Sequence, residues 1–506
     1  MKNRTPLSII ILLGIAFLFL LCYHPAQIPA PWFDEGWTLS VARNWVETGR
    51  YARLLNDQPI SATGMAWNFP VTGPIALSFQ FFGIGVWQGR LPGTMFTIAS
   101  IFFVYWIARR MYNEKIAVAA ILLLLLGYPF PLTEGRQALG EPAMLFYLLA
   151  GYYTFWLFLE KRSAVSLGAS MLLWASALTS KQQPLPFWMF SMLAVVVFSG
   201  WLRRDRFTFW ASLGALLGTL VFWRIMLGVQ AWLETGLPLY GAPMQGLLNV
   251  TGWVPVWEVR VQALTIIGYF AVPLILGLGY SLKQEIEAWN IEAGGDPKVY
   301  IRLAYWSLTT SWLIWYTTLA MAWVRYLYPI VFFGSIFVAV FISRITDGFN
   351  FPQVVRRASN ALRRFQFKCE NLEALLVILI MSYVGSMVVR NFAAITFNND
   401  AETVAEYLNH STPSDALLET YDSELLFLVQ RKFHFPPDQI QVELNKRTFL
   451  HQNVAIPYDP MQVDPDYIVI GPFSKMWGLY ASIAPQQDGW ELVYKLPNYS
   501  VYQHVR

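Results

Sequence analysis

The chain has 506 residues, of which 56% are hydrophobic and 13% are charged, whereas an average soluble domain is about 25% charged. This composition excludes a disordered chain, a coiled coil and a disulfide-rich scaffold, and it indicates a helical protein that crosses a membrane several times. The net charge of +4 is unevenly distributed, because residues 391–506 hold 7 Lys or Arg and 14 Asp or Glu. The acidic segment 391–506 is typical of a soluble domain. The rest of the chain is basic, which is typical of a membrane protein whose cytoplasmic loops carry Lys and Arg.

Long apolar runs predict the membrane-spanning helices, because crossing the hydrocarbon core takes about 20 residues. A shorter apolar stretch, Pro74–Gly85, is predicted to lie in or dip into the outer interface, with a twelfth span as the alternative. The predicted fold class is an α-helical polytopic membrane protein of about eleven spans with a small C-terminal α/β domain. The spans are predicted at residues 7–24, 91–108, 116–131, 143–159, 164–180, 184–201, 207–224, 261–281, 303–323, 327–343 and 373–389.

Lys and Arg lie before the first predicted span and in every second loop after it, and the segment 344–372 is the most basic of these. This distribution predicts that those loops and the N-terminus are cytoplasmic, since short basic loops stay inside. An odd number of spans then places the C-terminus outside. The long outer segments are 25–90, 225–260 and 391–506.

Two domains are predicted. Residues 1–390 form a transmembrane domain with an outer loop at 25–90, and residues 391–506 form an extracytoplasmic α/β domain. The tail has a helical pattern at Ala401–Leu408 and strand patterns after it. The strands are predicted at Tyr467–Ile470, Trp490–Tyr494 and Asn498–His504, and the last two are predicted to pair as a hairpin.

The outer segment 225–260 contains aromatic residues and two acids. Its rings are predicted to lie on the membrane surface, and stacking on a sugar is the alternative. Glu234 and Glu258 are predicted to be solvated loop charges. The rings are those of Trp232, Tyr240, Trp253 and Trp257.

Charged side chains cluster at the outer ends of the predicted spans, where a charge next to the membrane core indicates a functional role. A set of acids and cations at one depth matches the needs of one reaction, the transfer of a sugar from a lipid phosphate. That reaction needs a base that takes the proton of the acceptor hydroxyl. It also needs cations that hold the phosphate and stabilise it as it leaves. Both must lie at the membrane surface, because the lipid tail of the donor stays in the bilayer. The candidates are Asp34, Glu35, Glu141, Arg90, Arg136, Lys181 and Arg325.

Five segments around these residues resemble motifs of GT-C glycosyltransferases, in particular of the protein O-mannosyltransferase and aminoarabinose-transferase-like enzymes of glycosyltransferase families 39 and 83. They occur in the family's order, and the resemblance covers about residues 5–345. It implies a GT-C fold with the active site on the outer face. The segments are Phe33-Asp34-Glu35, Gly89–Pro92, Arg136–Pro142, Leu178–Gln182 and Arg325–Pro329.

The resemblance also implies roles for individual residues. Asp34 would be the catalytic carboxylate, with Glu35 as a further catalytic candidate, and Glu141 would be the second acidic residue near the acceptor. Lys181 and Arg325 would contact the donor phosphate. Two weaker candidates for the same phosphate complete the set, Arg90 and Arg136.

The sequence departs from the family in two places. The family usually has a His-Pro-Pro or Lys-Pro pair before the short apolar stretch, whereas this chain has Val71-Thr72-Gly73-Pro74 and therefore lacks one cation near the phosphate. The second acid is often Asp in the family, and here it is Glu141. Structural interpretations stand beside the functional ones, because acids also favour helix N-termini and cations also serve as interface anchors or partners of a nearby acid.

The predicted function is that of an integral membrane glycosyltransferase of the cell envelope, which moves a hexose or pentose from a polyprenyl-phosphate donor to an acceptor hydroxyl with inversion, Asp34 acting as base. The acceptor could be a glycan, a glycolipid or a protein. A transporter or flippase of lipid-linked sugars is the alternative, but the predicted spans hold few charges, which favours an enzyme.

No cofactor is required on chemical grounds, although Mg²⁺ or Mn²⁺ bound by carboxylates is compatible with the sequence. Membrane lipids are further partners, and nothing indicates nucleic-acid binding.

Overall fold

The computed structural model describes residues 14–15, 18, 22–242, 244–291, 296–364, 369–393, 397–481 and 489–505. Helices dominate as far as residue 393, and a mixed sheet with its own helices begins after residue 397. This division agrees with the predicted fold class.

The helices of the first part follow one another with short connections. Three of them start after an Asn or Asp whose side chain accepts a backbone N–H of the first turn, which satisfies a donor that has no partner inside the helix. A short antiparallel ribbon, β1 (Arg53–Leu55) and β2 (Gln58–Ile60), follows the first helix. The helices are α1 (Phe33–Thr48), α2 (Phe69–Phe82), α3 (Val86–Met111), α4 (Glu114–Gly127), α5 (Gly140–Lys161), α6 (Ala164–Ser180), α7 (Leu185–Val197), α8 (Arg206–Leu233), α9 (Leu247–Thr251), α10 (Trp257–Phe270), α11 (Val272–Ile291), α12 (Pro297–Thr318), α13 (Tyr328–Ile345), α14 (Phe351–Arg364) and α15 (Cys369–Ala393).

The predicted first span, 7–24, lies mostly outside the described residues, and each of the other ten overlaps a helix. Judged by length and composition, five helices in the described part of the chain are able to cross a membrane, or six if one bent pair counts as a single span. The predicted number of eleven therefore stays a prediction. The short apolar stretch after Pro74 is part of α2, a helix of 14 residues.

The predicted span 261–281 is not one straight helix. It consists of α10 and α11, whose axes differ by 82°. Pro273 lies in the first turn of α11, where a missing N–H is tolerated, but it could not have continued the hydrogen bonds of α10. The chain therefore turns at Ala271, between the two helices.

The C-terminal domain is built on a five-stranded sheet with the strand order β4-β3-β5-β7-β6. The first three strands are parallel, and β7 is antiparallel to both of its neighbours. The predicted helix, the strand after it and the terminal hairpin are all present. The elements are α16 (Asp400–Ser411), β3 (Leu417–Thr420), α17 (Leu425–Leu428), β4 (Lys432–His434), α18 (Asp438–Phe449), β5 (Tyr467–Ile470), α19 (Pro472–Trp477), β6 (Trp490–Lys495) and β7 (Ser500–His504).

The start of α1 is packed tightly against this domain. A Cβ atom added at Gly36 would lie 1.9 Å from the carbonyl oxygen of Ser423, in the loop after β3. The hydroxyl of Ser423 donates to the carbonyl oxygen of Phe33 at 2.5 Å. Since Asp34 stands between Phe33 and Gly36, the domain fixes the place of Asp34.

Candidate active site

Four of the predicted site residues come together although they are far apart in the sequence. Asp34 is in the first turn of α1, Glu141 is in the first turn of α5, Lys181 follows the last residue of α6, and Arg325 is in the single turn before α13. Three ion pairs connect them. The structure thus joins the residues that the resemblance groups as base, second acid and phosphate contacts.

Asp34 and Arg325 form the accessible edge of this cluster. Nη1 of Arg325 donates to Oδ2 of Asp34 at 2.5 Å, and the two side chains are 18% and 14% exposed. The ring of Trp323 stacks on the guanidinium, with 4.7 Å from Cζ to the ring centroid, which favours this orientation of Arg325. Asp34 and Arg325 are therefore the two members of the cluster that stay partly open to solvent.

Glu141 lies deeper and is only 1% exposed. Its Oε1 accepts a hydrogen bond from Nζ of Lys181 and lies 3.7 Å from Nε of Arg325. The ammonium of Lys181 lies between the rings of Trp67 and Tyr326, 5.2 and 5.0 Å from their centroids. A buried carboxylate between two cations is suited to holding them in place. Contact of Glu141 with the acceptor stays a prediction.

Glu35 points away from the cluster and pairs with Arg90. Nε and Nη2 of Arg90 donate to the two carboxylate oxygens of Glu35 at 2.9 and 2.5 Å. The N–H of Ala138 donates to the same carboxylate at 2.7 Å, and three carbonyl oxygens of residues 25–29 accept from Nη1 of Arg90. Both side chains are buried. This geometry favours the structural interpretation of the pair over a catalytic Glu35 and a phosphate-binding Arg90, roles that stay predictions.

Arg136 also lies outside the cluster. Its Nη2 donates to the carbonyl oxygen of Tyr23 at 2.6 Å, and its side chain is buried. Burial and the neighbouring Arg90 guanidinium lower the pKa of Arg136 to about 10. The two arginines therefore hold the segment between residues 23 and 30 by its carbonyl groups, and a contact of Arg136 with the donor phosphate stays a prediction.

Glu134 is a residue of this region that the sequence analysis did not select. It begins a 3₁₀ turn, Glu134–Arg136, between α4 and α5, and its carboxylate accepts a hydrogen bond from the hydroxyl of Thr133. Burial, reinforced by the Glu141 carboxylate, raises the pKa of Glu134 to about 7 against the opposing effect of Arg325. The sequence signal that could have identified Glu134 is its position two residues before the Arg136–Pro142 motif.

The C-terminal domain contributes aromatic rings beside Asp34. The ring of Trp32 contacts that of Phe473, with 4.9 Å between centroids, and Phe33 contacts Tyr421 at 5.2 Å. Burial and the nearby Asp34 carboxylate raise the pKa of Tyr421. The sequence analysis expected little from the tail, because outer domains vary in the family, yet the domain forms part of the wall around Asp34.

The aromatic residues and acids of segment 225–260 separate into a group that packs against other elements and an exposed group. Tyr240 and Glu234 are packed against other elements, so the predictions of a membrane-facing ring and a solvated acid are wrong for them. The hydroxyl of Tyr240 donates to the carbonyl oxygen of Phe435 at 2.6 Å, and Glu234 accepts from the hydroxyl of Thr63 at 2.8 Å. The exposed group consists of Trp232, Trp253, Trp257 and Glu258.

An apolar groove of about 650 Å³ runs beside α2 and is lined by Trp45, Phe69, Leu77 and Tyr147 among others. One lining residue of the groove, Phe69, is close to the cluster in the sequence. It comes two residues after Trp67, whose ring contacts Lys181. Among the described residues, no group of three or more His, Cys, Asp and Glu side chains could hold a metal ion. Independence from metal ions stays a prediction.

Comparison with known proteins gives one family and several solved structures. Residues 74–226 match the family model of dolichyl-phosphate-mannose-protein mannosyltransferases. ArnT from Cupriavidus metallidurans, solved bound to undecaprenyl phosphate, is 13% identical over 99% of both chains with a TM-score of 0.65, and its apo state gives 15% over 99% of both chains and a TM-score of 0.67. The archaeal oligosaccharyltransferase AglB from Archaeoglobus fulgidus, in complex with an inhibitory peptide and a dolichol-phosphate, is 11% identical over 99% of this chain and 74% of AglB, with a TM-score of 0.56. No curated protein sequence matches the chain.

The two kinds of match agree. The family model covers the segment from α2 to α8, which contains Glu141 and Lys181, and the fold is shared along the whole chain. The resemblance drawn from the five motifs is therefore confirmed, and the long apolar helices agree with the predicted membrane location. The predicted orientation stays a prediction. The chain has the fold of the GT-C membrane glycosyltransferases. The family model that it matches also describes glycosyltransferases of this class.

Proposed function

We propose that this protein transfers a sugar from a polyprenyl-phosphate donor to an acceptor hydroxyl at the outer membrane surface. The observation that carries the proposal is the cluster of Asp34, Glu141, Lys181 and Arg325, which unites an accessible carboxylate with two adjacent cations. The motifs predict the same four residues. The basic loops on the opposite side support the outer location.

Asp34 is the base of the reaction. The oxygen of the acceptor hydroxyl attacks the anomeric carbon, its proton moves to Asp34, and the bond between that carbon and the phosphate oxygen breaks. The lipid phosphate leaves with the bonding electron pair, and a single displacement inverts the anomeric configuration. Arg325 holds Asp34 in the structure at 2.5 Å, so a donor phosphate that draws on Arg325 also frees Asp34 to accept a proton.

Lys181 and Arg325 bind the phosphate, and Glu141 positions both of them. The charge that develops on the leaving phosphate oxygen is stabilised by cations that are already in place, which costs little reorganisation during the reaction. The two rings around Lys181 keep water away from it and strengthen its electrostatic attraction for the phosphate.

The apolar groove beside α2 receives the first isoprene units of the donor. It is open and lined mainly by apolar side chains, as a site for a hydrocarbon chain should be. Support comes from the undecaprenyl phosphate named in the ArnT structure and the dolichol-phosphate named in the AglB structure. In the part of the chain that the structure describes, no specific feature favours a transporter over the enzyme.

The test uses membranes with the wild type or Asp34→Asn and a radiolabelled undecaprenyl-phosphate sugar, with cell-envelope extract as acceptor. The variant keeps the shape of the side chain but cannot take a proton, so we expect donor consumption to fall at least 100-fold. Glu258→Gln is the matched control, because Glu258 is exposed, and it should behave as the wild type.

Equal consumption by wild type and Asp34→Asn, at equal protein levels, would refute Asp34 as the base. The same assay with EDTA tests the prediction that no cofactor is required. We expect activity to persist, because Lys181 and Arg325 already supply positive charge at the phosphate. Loss of activity in EDTA that Mg²⁺ or Mn²⁺ restores would show that a metal ion is needed.

A further inference from the structure

The accessible edge of the charged cluster lies beside aromatic rings that come from two parts of the chain. Trp32 and Trp323 stand at right angles, with 5.5 Å between centroids and 87° between planes. Trp32 precedes Asp34 by two residues, and Trp323 precedes Arg325 by two residues. The C-terminal domain extends this corner through Phe473, 4.9 Å from Trp32, and Phe449, 6.5 Å from Trp323.

Three of these four rings are only partly covered by protein, whereas Phe473 is buried. Trp32, Trp323 and Phe449 each keep an intermediate exposure, although each contacts other rings. Phe33 and Trp37, whose rings contact the same domain through Phe435, are buried. The corner therefore presents free aromatic surface at the residues that flank the partly exposed Asp34 and Arg325.

The position of the corner relative to the cations identifies which substrate it meets. In a single displacement the attacking oxygen and the leaving oxygen lie on opposite sides of the anomeric carbon. Lys181 and Glu141 are the buried end of the cluster, at 8% and 1% exposure, and Arg325, which pairs with both Glu141 and Asp34, connects this end to Asp34. The phosphate therefore lies towards the buried end, between Lys181 and Arg325. Asp34 takes the acceptor's proton, so the acceptor approaches on the side of Asp34 and the aromatic corner.

Resting on the proposed function, we infer that Trp32, Trp323 and Phe449 form the acceptor subsite, with the buried Phe473 supporting Trp32, and that the acceptor hydroxyl is carried by a sugar ring. A pyranose has an apolar face of C–H groups and a rim of hydroxyls. It can lie flat on an indole while one rim hydroxyl points at Asp34, and aromatic residues contribute such contact area with little loss of conformational entropy. A Ser or Thr hydroxyl on a peptide has no flat apolar face of this kind.

The experiment measures transfer from radiolabelled undecaprenyl-phosphate sugar to cell-envelope extract, which is separated afterwards into a glycan and glycolipid fraction and a protein fraction. For Trp32→Ala we expect the acceptor KM to rise at least 10-fold, with the donor KM within twofold of the wild type. Trp32→Phe keeps a ring and should restore most of the acceptor affinity. Trp253→Ala is the matched control, because Trp253 is exposed elsewhere.

Phe449→Ala is the second variant, in case Trp32→Ala fails to fold, and it should raise the acceptor KM in the same way. Label in the glycan and glycolipid fraction supports the inference, and label in the protein fraction overturns it. An unchanged acceptor KM in the folded variants also overturns it. Absence of any Asp34-dependent consumption by the wild type would instead refute the proposed function itself, so the two failures are distinguishable.

Discussion

Neighbouring residues of the same charge have different environments in this protein, and the environment decides what each can do. Asp34 and Glu35 are adjacent, yet Asp34 is 18% exposed and pairs with Arg325, whereas Glu35 is 1% exposed and pairs with Arg90. Successive residues of a helix point about 100° apart, so one faces the site and the other faces the loop beneath it. The sequence predicted both as candidates because it does not show which way each side chain points.

The buried pair of Glu35 and Arg90 provides a test of its structural role. Glu35→Gln leaves the Arg90 guanidinium buried without its counter-charge, and we expect the protein to lose about 3–5 kcal/mol of stability. Thermal unfolding of the detergent-purified protein measures this loss, with Glu258→Gln as the exposed control. If Glu35→Gln is as stable as the wild type but inactive, the catalytic prediction for Glu35 is right and the structural interpretation is wrong.

Glu134 gives the site a dependence on pH. With a pKa of about 7, Glu134 is mostly neutral at pH 6 and mostly ionised at pH 8, while the donor phosphodiester keeps one negative charge throughout. The added charge near Arg325 opposes the phosphate, so we expect the donor KM to rise several-fold from pH 6 to pH 8. Glu134→Gln should lose this rise. A rise of equal size in the variant would assign it to another group.

At the scale of elements, the contact between α1 and the C-terminal domain leaves no room for a side chain at Gly36. Gly36→Ala would place a methyl group 1.9 Å from the carbonyl oxygen of Ser423, and backbone has to move to relieve that overlap. Because Asp34 lies half a turn away, we expect sugar transfer to fall at least 10-fold.

Gly168→Ala is the matched control, because Gly168 lies inside α6 and nothing comes within 4 Å of an added Cβ. It should leave transfer unchanged and stabilise the helix by about 0.5–1 kcal/mol. Limited proteolysis of the purified protein should cut Gly36→Ala faster than the wild type. Wild-type transfer and proteolysis in Gly36→Ala would contradict the tight contact.

Local patterns predicted most of the elements, and the exceptions have a physical cause. Ten of the predicted apolar spans overlap helices, one of them a bent pair, and alternation identified the terminal hairpin. The turn between α10 and α11 was missed because its flanking segments are both apolar, although Pro273 was a signal for it. The buried state of Glu234 was missed because its partner Thr63 is 171 residues away, and no local pattern reports such a contact.

At the scale of the whole molecule, convergence of distant segments creates the site. The motif order predicted which side of the membrane Asp34, Glu141, Lys181 and Arg325 share, and the fold brings them within ion-pair distance. The place of the C-terminal domain was not predictable, because its contacts with α1 depend on side-chain packing between residues almost 400 positions apart. The acceptor subsite inferred above depends on that packing.

The central claim is that this cluster binds the lipid phosphate, and the most direct measurement is the affinity of the purified protein for undecaprenyl phosphate. We predict that the wild type binds it and that Lys181→Met and Arg325→Met each weaken binding at least 10-fold, because each removes one of the two cations. Asp34→Asn should bind at least as tightly as the wild type, since Arg325 is then freer to meet the phosphate. Equal binding by the wild type and Lys181→Met, or no binding by the wild type, would contradict the account.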